Sequence, residues 1–301
     1  MGKKKVGYIG LGHMGGGMAG NLLKQEFSVT VYDVNPDAVA ILKDQGALTA
    51  GSPKAVAERA DVVITSLPNP QIVMDVALGE NGIVEGISTG KVYIDMSSID
   101  PETTRKVGAR IAETGARMLD VPVGKGPAAA ASGNLTLMMG GDRGVIEECE
   151  EVLKVLGSDH FYCGELGMGV TTKVVNNLVS CSINALISEA MALGAAAGAD
   201  PEILREVMMS TAADNSHLRA GMKSRTFQRD FSSNFKLSLA HKDLGLASQK
   251  AGVHGIPSIL GSAALAAHTL AMGKELGDED QTAIVKVWED CTGVEVKGDS
   301  K

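Results

Sequence analysis

The sequence predicts an α/β domain with a mainly parallel sheet, followed by an all-α domain, the two joined by a long interdomain helix. Three observations predict it. Short Val- and Ile-rich runs alternate with helical patterns through the first half of the chain. A glycine-rich turn sits between the first such run and the first helical pattern. Strand signals then disappear near residue 164, where an apolar helical pattern covers 168–198. Length agrees: 301 residues exceed what one ordinary core accommodates.

The expected strands are 5–10, 28–32, 61–67, 91–96 and 117–121, with further strands at 134–139 and near 160–163. Helices are expected at 13–25, 37–45, 52–59, 70–78, 101–114 and 144–156. Such alternation implies right-handed βαβ crossovers and a sheet covered on both faces. Beyond the long helix, helical patterns recur at 201–210, 217–225, 237–252, 259–274 and 281–291. Domains are therefore expected at 1–164 and 165–296, with a frayed polar tail at 297–301.

Composition excludes several functions. The net charge of −8 argues against a nucleic-acid surface, which needs a basic stripe. Cys149, Cys163, Cys181 and Cys291 form no CxxC pair and the six histidines no paired spacing, so no metal site and no disulfide framework is expected. The basic start is followed by an apolar run broken by glycines, a poor signal sequence. No uninterrupted run of 18 apolar residues is present; 179–198 comes nearest but holds Ser182, Asn184, Ser188 and Glu189. A cytoplasmic protein with reduced thiols and no membrane partner is the expectation.

In GYIGLGHMGGGM, Gly10, Gly12 and Gly15 fall in the order G-x-G-x-x-G, after a strand and before a helix. That is the Rossmann dinucleotide fingerprint: Gly10 for the turn, Gly12 for approach of a pyrophosphate, Gly15 for helix–strand packing. Leu11, His13 and Met14 complete the loop around the anion, at a helix N-terminus whose dipole favours it. Asp33, 18 residues beyond Gly15, ends the next strand. Its carboxylate accepts from ribose hydroxyls and repels a 2′-phosphate, favouring NAD over NADP. Leu67, Pro68 and Asn69 follow the fourth strand and Ser98 the fifth, at the crevice edge of the sheet. Ser98 reads equally as a helix N-cap ahead of Pro101.

Chemistry requires an acid/base. Lys173 and Asn177 lie i, i+4 on the long helix with Asn176 between them, three polar groups in an apolar surround. Such a lysine can pass a proton to a carbonyl oxygen while hydride arrives at carbon. The alternative is a solvated helix edge. Lys242, beside His241 and Asp243, either reaches cofactor or substrate or forms a surface ion pair. Gly124, Lys125 and Gly126 follow a strand end and combine exposed N–H groups with an ammonium, an anion site or an ordinary surface loop.

With those residues in view, GLGHMGGGMAGNLL, IDMSSIDP, DVPVGKGPAAAASGNLTLMMGG, GMGVTTKVVNNL and HKDLGLA resemble, in order, the signature segments of the β-hydroxyacid dehydrogenase family. The resemblance spans residues 6–296 and is nearest to the sulfolactaldehyde reductase and 2-(hydroxymethyl)glutarate dehydrogenase subtypes. It implies a homodimer or homotetramer that uses NAD to interconvert a small anionic 3-hydroxy acid, or a sulfonate analogue, and its semialdehyde. It implies Lys173 as general acid/base, Asn177 as its substrate-orienting partner, Lys242 at the nicotinamide end and Ser98 at the ribose. Ser98, Gly124, Lys125, Gly126, Lys173, Asn176, Asn177 and Lys242 form the expected substrate set. One departure stands out: the family's usual valine-serine-glycine-glycine is Val123, Gly124, Lys125, Gly126 here. Sulfolactaldehyde reductases carry arginine at the Lys125 position, and a point-charge ammonium is not equivalent to a planar guanidinium. Two other readings remain at this point: an imine reductase on the same fold, which the resemblance implies would lack Lys173, and a non-catalytic dinucleotide-binding assembly module.

Overall fold

The computed structural model describes residues 2–298. The chain divides into two compact units, one ending at Val174 and the other beginning at Val175. In chain order the first unit runs β1 (Val6–Ile9), α1 (His13–Lys24), β2 (Val29–Tyr32), α2 (Pro36–Asp44), β3 (Leu48–Thr49), α3 (Pro53–Arg59), β4 (Val62–Thr65), α4 (Pro70–Leu78), β5 (Val92–Asp95), α5 (Pro101–Ala112) and β6 (Arg117–Asp120). It continues through β7 (Val123–Gly124), α6 (Pro127–Ser132), β8 (Leu135–Gly140), α7 (Arg143–Glu148), α8 (Glu150–Leu156) and β9 (Gly157–Gly164).

The sheet has the order β3-β2-β1-β4-β5-β6-β8-β7, with β9 paired to β8. From β3 to β6 all pairs are parallel. The order reverses beside β1, which opens the ligand crevice of a doubly wound sheet at the carboxyl ends of the strands. β7 continues the line of β6 across Val121 and Pro122, and both pair antiparallel with β8 in one register, Asp120 opposite Gly140 and Val123 opposite Leu137. Strand residues alternate between two cores. Val6, Tyr8, Val62, Ile64, Val92 and Ile94 pack on one face, and Ile9, Val63 and Tyr93 on the other. Both faces are apolar because helices cover both, which is why the strands read as continuous Val/Ile runs.

Helix starts follow their capping residues. Asn35, Ser52, Asn69, Asp100 and Asp142 each accept a first-turn N–H through the side chain. The cap of α5 is thus Asp100, which accepts from Thr103 N–H at 2.7 Å, and not Ser98. The single helix expected over 144–156 is two, because Cys149 leaves helical geometry while its buried side chain stays in the core. The short β3, β7 and α6 were not expected; two residues carry too little periodicity to be read.

The helix α9 (Met168–Ala196) begins in the first unit and continues into the second. The second unit then holds α10 (Pro201–Met209), π-helical turns at His217–Thr226, α11 (Leu237–Val253), α12 (Ile259–Gly273) and α13 (Val285–Thr292). By length and mean hydropathy α9 is apolar enough to cross a bilayer, although polar residues interrupt it throughout. Its apolar residues instead join two cores of the second unit: Cys181 and Ala185 pack with Leu237, Leu244 and Ile284, and Ile187 and Met191 with Leu218, Met222 and Val285. Asn184 donates to Gln281 O at 2.9 Å. Of the expected tail, Gly298 donates to Phe227 O at 3.4 Å, and 299–301 lie outside the described residues.

His268 of α12 is fully buried; Nδ1 lies 2.9 Å from Ala264 O, and Nε2 has no partner among the described residues. Burial lowers its pKa, and burial does the same to His217. A histidine depressed in the folded state leaves stability intact above its ordinary pKa of 6.5. As pH falls below that value the unfolded chain binds the proton first, and stability drops by at most about 1.4 kcal/mol per pH unit per group. Urea unfolding between pH 7.5 and 5.5 is expected to show this loss, and His268→Leu to have a shallower slope by about one proton. An unchanged slope would remove His268 from the acid response.

Candidate active site

Ile9, Thr65, Asp95 and Asp120 stand side by side across β1, β4, β5 and β6, with Tyr32 of β2 beside Ile9. Each ends its strand. The residues that follow therefore emerge along one edge although far apart in sequence: Gly10, Asp33, Ser66 to Asn69, Met96 to Ser98, and Val121 to Gly124.

At the glycine turn, Gly10 has φ +89°, and a Cβ on it would fall 2.4 Å from Ser66 O. A Cβ on Gly15 would fall 1.9 Å from Gly10 O, so helix and strand meet there without a side chain between them. Gly12 differs: a Cβ there meets nothing within 4 Å, so neither turn nor packing demands glycine. It is the N-cap of α1 and supplies no side-chain cap, leaving the first-turn N–H groups of His13, Met14 and Gly15 facing a space open to a ligand. That combination fits a dinucleotide pyrophosphate. Asp33 accepts from Leu11 N–H at 2.6 Å and from Asn35 N–H at 2.7 Å, one bond per oxygen. A carboxylate has about four acceptor positions, so two remain for a ribose diol.

The loops after β4 and β5 are tied to each other. Leu67 N–H donates to Ser97 Oγ at 2.9 Å, Ser97 N–H to Asp95 Oδ1 at 3.0 Å, and Thr65 Oγ1 to the same oxygen at 2.8 Å. Burial raises the Asp95 pKa above the ordinary carboxylate value. Asn69 caps α4 through Ile72 N–H at 2.9 Å, Pro68 lies just before it, and Ser98 is half-buried past the end of β5.

Lys125 has φ +71°, a left-handed conformation uncommon for a residue with a Cβ. Its ammonium is 2.8 Å from Asp159 Oδ2 and 3.2 Å from Asn134 Oδ1, so the side chain lies along β9 in an ion pair. Gly124 belongs to β7, and Gly126 is the N-cap of α6 with no side-chain cap.

Lys173 is half-buried on α9. Asn177 is one turn further along the same helix, and its Nδ2 donates to Asp243 Oδ2 at 2.5 Å. Asn176 Nδ2 donates to Asn177 Oδ1 at 3.2 Å, and Lys242 Nζ lies 3.0 Å from Asp243 Oδ1. Asp243 thus joins Asn177 to Lys242 within the second unit, and it is only 3% exposed. Sequence reasoning missed the roles of three buried acids, Asp95, Asp120 and Asp243. The available signal was a carboxylate inside an apolar strand end or helix face, where a charge stays only with partners.

Among the described residues, no cluster of three or more His, Cys, Asp or Glu is arranged to hold a metal ion. The four cysteines are free thiols.

Comparison with known proteins agrees with this layout. Residues 5–164 match the family described as the NAD binding domain of 6-phosphogluconate dehydrogenase, and 167–288 that described as NAD-binding of NADP-dependent 3-hydroxyisobutyrate dehydrogenase. The chain is 38% identical to 2-(hydroxymethyl)glutarate dehydrogenase of Eubacterium barkeri over 98% of both chains. It is 39% identical to 3-sulfolactaldehyde reductase of Escherichia coli over 93% of this chain and 94% of that one. Among solved structures, 3-hydroxyisobutyrate dehydrogenase from Salmonella typhimurium superposes with a TM-score of 0.87 at 29% identity, covering 95% of this chain and all of that one. An imine reductase from Pseudomonas sp. is more distant: its TM-score of 0.61 at 18% identity, over 95% of this chain and 99% of that one, speaks for the fold alone. By motif order, sheet topology and similarity along almost its whole length, the chain belongs to the β-hydroxyacid dehydrogenase family.

Proposed function

We propose that the chain is an NAD-dependent oxidoreductase that interconverts a small 3-hydroxy acid, or a sulfonate analogue, and its semialdehyde. The observation that carries this reading is the pair Lys173 and Asn177, one turn apart on the helix that follows a sheet bearing an open, side-chain-free turn at Gly12. NAD, when bound, supplies or accepts the hydride. Gly10 to Gly15 would hold its pyrophosphate, Asp33 its ribose, and Leu67 to Asn69 with Ser98 the crevice edge. Lys173 gives the carbonyl oxygen its proton in reduction and withdraws the alcohol proton in oxidation. Asn177 orients the reacting carbon, helped by Asn176, and Lys242 contacts the nicotinamide end. Gly124, Lys125 and Gly126 take the substrate's anionic tail, with Lys125 exchanging Asp159 for it.

The cofactor preference rests on Asp33, whose two oxygens already serve Leu11 and Asn35 and whose charge opposes a 2′-phosphate. We assign domain limits of 1–164, 165–296 and a terminal tail, and a cytoplasmic location in keeping with four unbridged thiols. A homodimer or homotetramer is supported by an unpartnered apolar stripe: Val179, Leu186 and Leu193 recur every seven residues on α9 and are 54%, 64% and 69% exposed. Beside it a groove of about 620 Å³ is lined by Leu186, Ile259, Leu260, Ala263 and Trp288.

NADH oxidation across sulfolactaldehyde, methylmalonate semialdehyde, tartronate semialdehyde, succinate semialdehyde and 2-formylglutarate tests the reaction. Lys173→Ala is expected to lower kcat by about 10²- to 10⁴-fold on the best substrate. Near-full activity in that variant would refute the mechanism. Lys125→Ala should lower kcat/KM most for that same substrate, and an even effect across the panel would return Lys125 to the surface.

Wild-type kcat/KM should favour NAD over NADP, and Asp33→Ser should narrow the ratio by tenfold or more. Equal use of both cofactors by the wild type would defeat the Asp33 argument. Light scattering should show a dimer or larger, with Leu186→Glu shifting it toward monomer; a monomeric wild type would end the oligomer assignment.

A further inference from the structure

The N-cap position of α9 is Gly167, which has no side chain with which to cap, yet a helix start needs acceptors for its first N–H groups. Met168 N–H finds one locally, in Glu165 O at 2.9 Å, and the N–H groups on either side of it find theirs in another element. Asp120, at the end of β6, accepts from Gly167 N–H through Oδ1 and from Val170 N–H through Oδ2, each at 2.8 Å. Val170 is the N3 residue, the position that a local cap serves. The carboxylate doing so is 47 and 50 residues distant in sequence.

Packing leaves this contact no slack. A Cβ on Gly169 would fall 2.6 Å from Asp120 O and 2.8 Å from its Oδ2, and one on Gly140 2.3 Å from its Oδ1. The helix backbone therefore rests directly on the strand and its carboxylate. Val170 is fully buried in the core that also holds Ile9, Val63 and Tyr93, and Leu166 fills the space over Gly108 of α5. We propose that Asp120 is a positioning residue, which sets where Lys173 stands by capping α9 from the neighbouring strand. Lys173 follows Val170 by three residues, less than one turn. The inference rests on Lys173 being the acid/base.

A pH dependence follows. The charged group acting on Asp120 is Asp95, its neighbour on β5; Arg105 on α5 lies beside Gly167, its Nε 3.1 Å from where a Cβ on that glycine would sit. Burial outweighs the two N–H donors and, with the nearby Asp95 charge, pushes the Asp120 carboxyl up to about 6. Once protonated, one oxygen becomes a donor and one of the two N–H groups loses its acceptor. The first turn of α9 loosens on the acid side of that value.

Amide hydrogen exchange on the cofactor-free protein tests this without turnover. After correction for intrinsic rates, protection at Gly167 and Val170 should fall in the wild type as pH drops from 7.5 to 5. In Asp120→Asn it should be low and flat, by tenfold or more at pH 7.5. With cofactor and the best substrate, Asp120→Asn should lose at least tenfold in kcat while KM for NADH moves less than threefold. The acid limb near pH 6 should disappear from its profile, and Asp120→Glu should recover part of kcat. Constant wild-type protection from pH 5 to 8 overturns the inference even if the variants fail to fold. So does a folded Asp120→Asn with kcat within twofold and an unaltered profile. Those failures leave the role of Lys173 standing, whereas full activity of Lys173→Ala removes that role and with it the reason for positioning.

Discussion

Parallel register is the constraint on which the first unit depends. Ile9, Thr65, Asp95 and Asp120 are aligned by hydrogen bonds between neighbouring strands, and a slip of one residue would turn each side chain to the opposite face. Buried apolar packing on both faces forbids that slip. The alignment brings the glycine turn, Asp33, the Leu67 loop, Ser98 and the Gly124 loop out at one edge. The loops at that edge inherit their relative placement from the strands that precede them.

Much of the fold was legible because its elements obey short-range rules. Val62, Val63 and Ile64 form a continuous apolar run, as a strand buried on both faces requires, and Ser52, Asn69 and Asp100 mark helix starts through oxygens that accept first-turn N–H groups. Elements without such signals were missed. Val123–Gly124 is too short for a period, and Pro127–Ser132 is a run of alanines in a glycine-rich loop. At the site, glycine spacing and the Lys173–Asn177 interval were readable because they are local. The tethering of Lys125 to Asp159 and the capping of Gly167 and Val170 by Asp120 join residues 34 to 50 positions apart, and no local pattern announces them.

Buried acids carry the polar organisation on both sides of the unit boundary. Asp95 gathers Thr65 and Ser97, Asp120 gathers a helix terminus, and Asp243 gathers Asn177 and Lys242. A carboxylate removed from water is costly unless its oxygens are satisfied. Asp120 and Asp243, each bonded through both oxygens, therefore constrain their donors strongly, whereas Asp95 has both donors on Oδ1 and none on its buried Oδ2 among the described residues. Desolvation leaves Asp95 and Asp120 closer to neutral than exposed acids, which eases the repulsion between two carboxyls on adjacent strands.

The Lys125–Asp159 pair has a consequence for selectivity. Both partners are substantially exposed, at 38% and 48%, so their attraction is screened and weak. An ammonium with its own counter-ion is a weak trap for the phosphate and sulfate that surround any enzyme in the cell. If Lys125 takes the substrate's anionic tail as proposed, that tail wins only by adding contacts beyond charge, such as backbone N–H groups that a freely tumbling inorganic ion meets less often. The tether would thus act as a low threshold, turning a promiscuous cation into one that answers chiefly to an anion delivered on the end of a bound molecule.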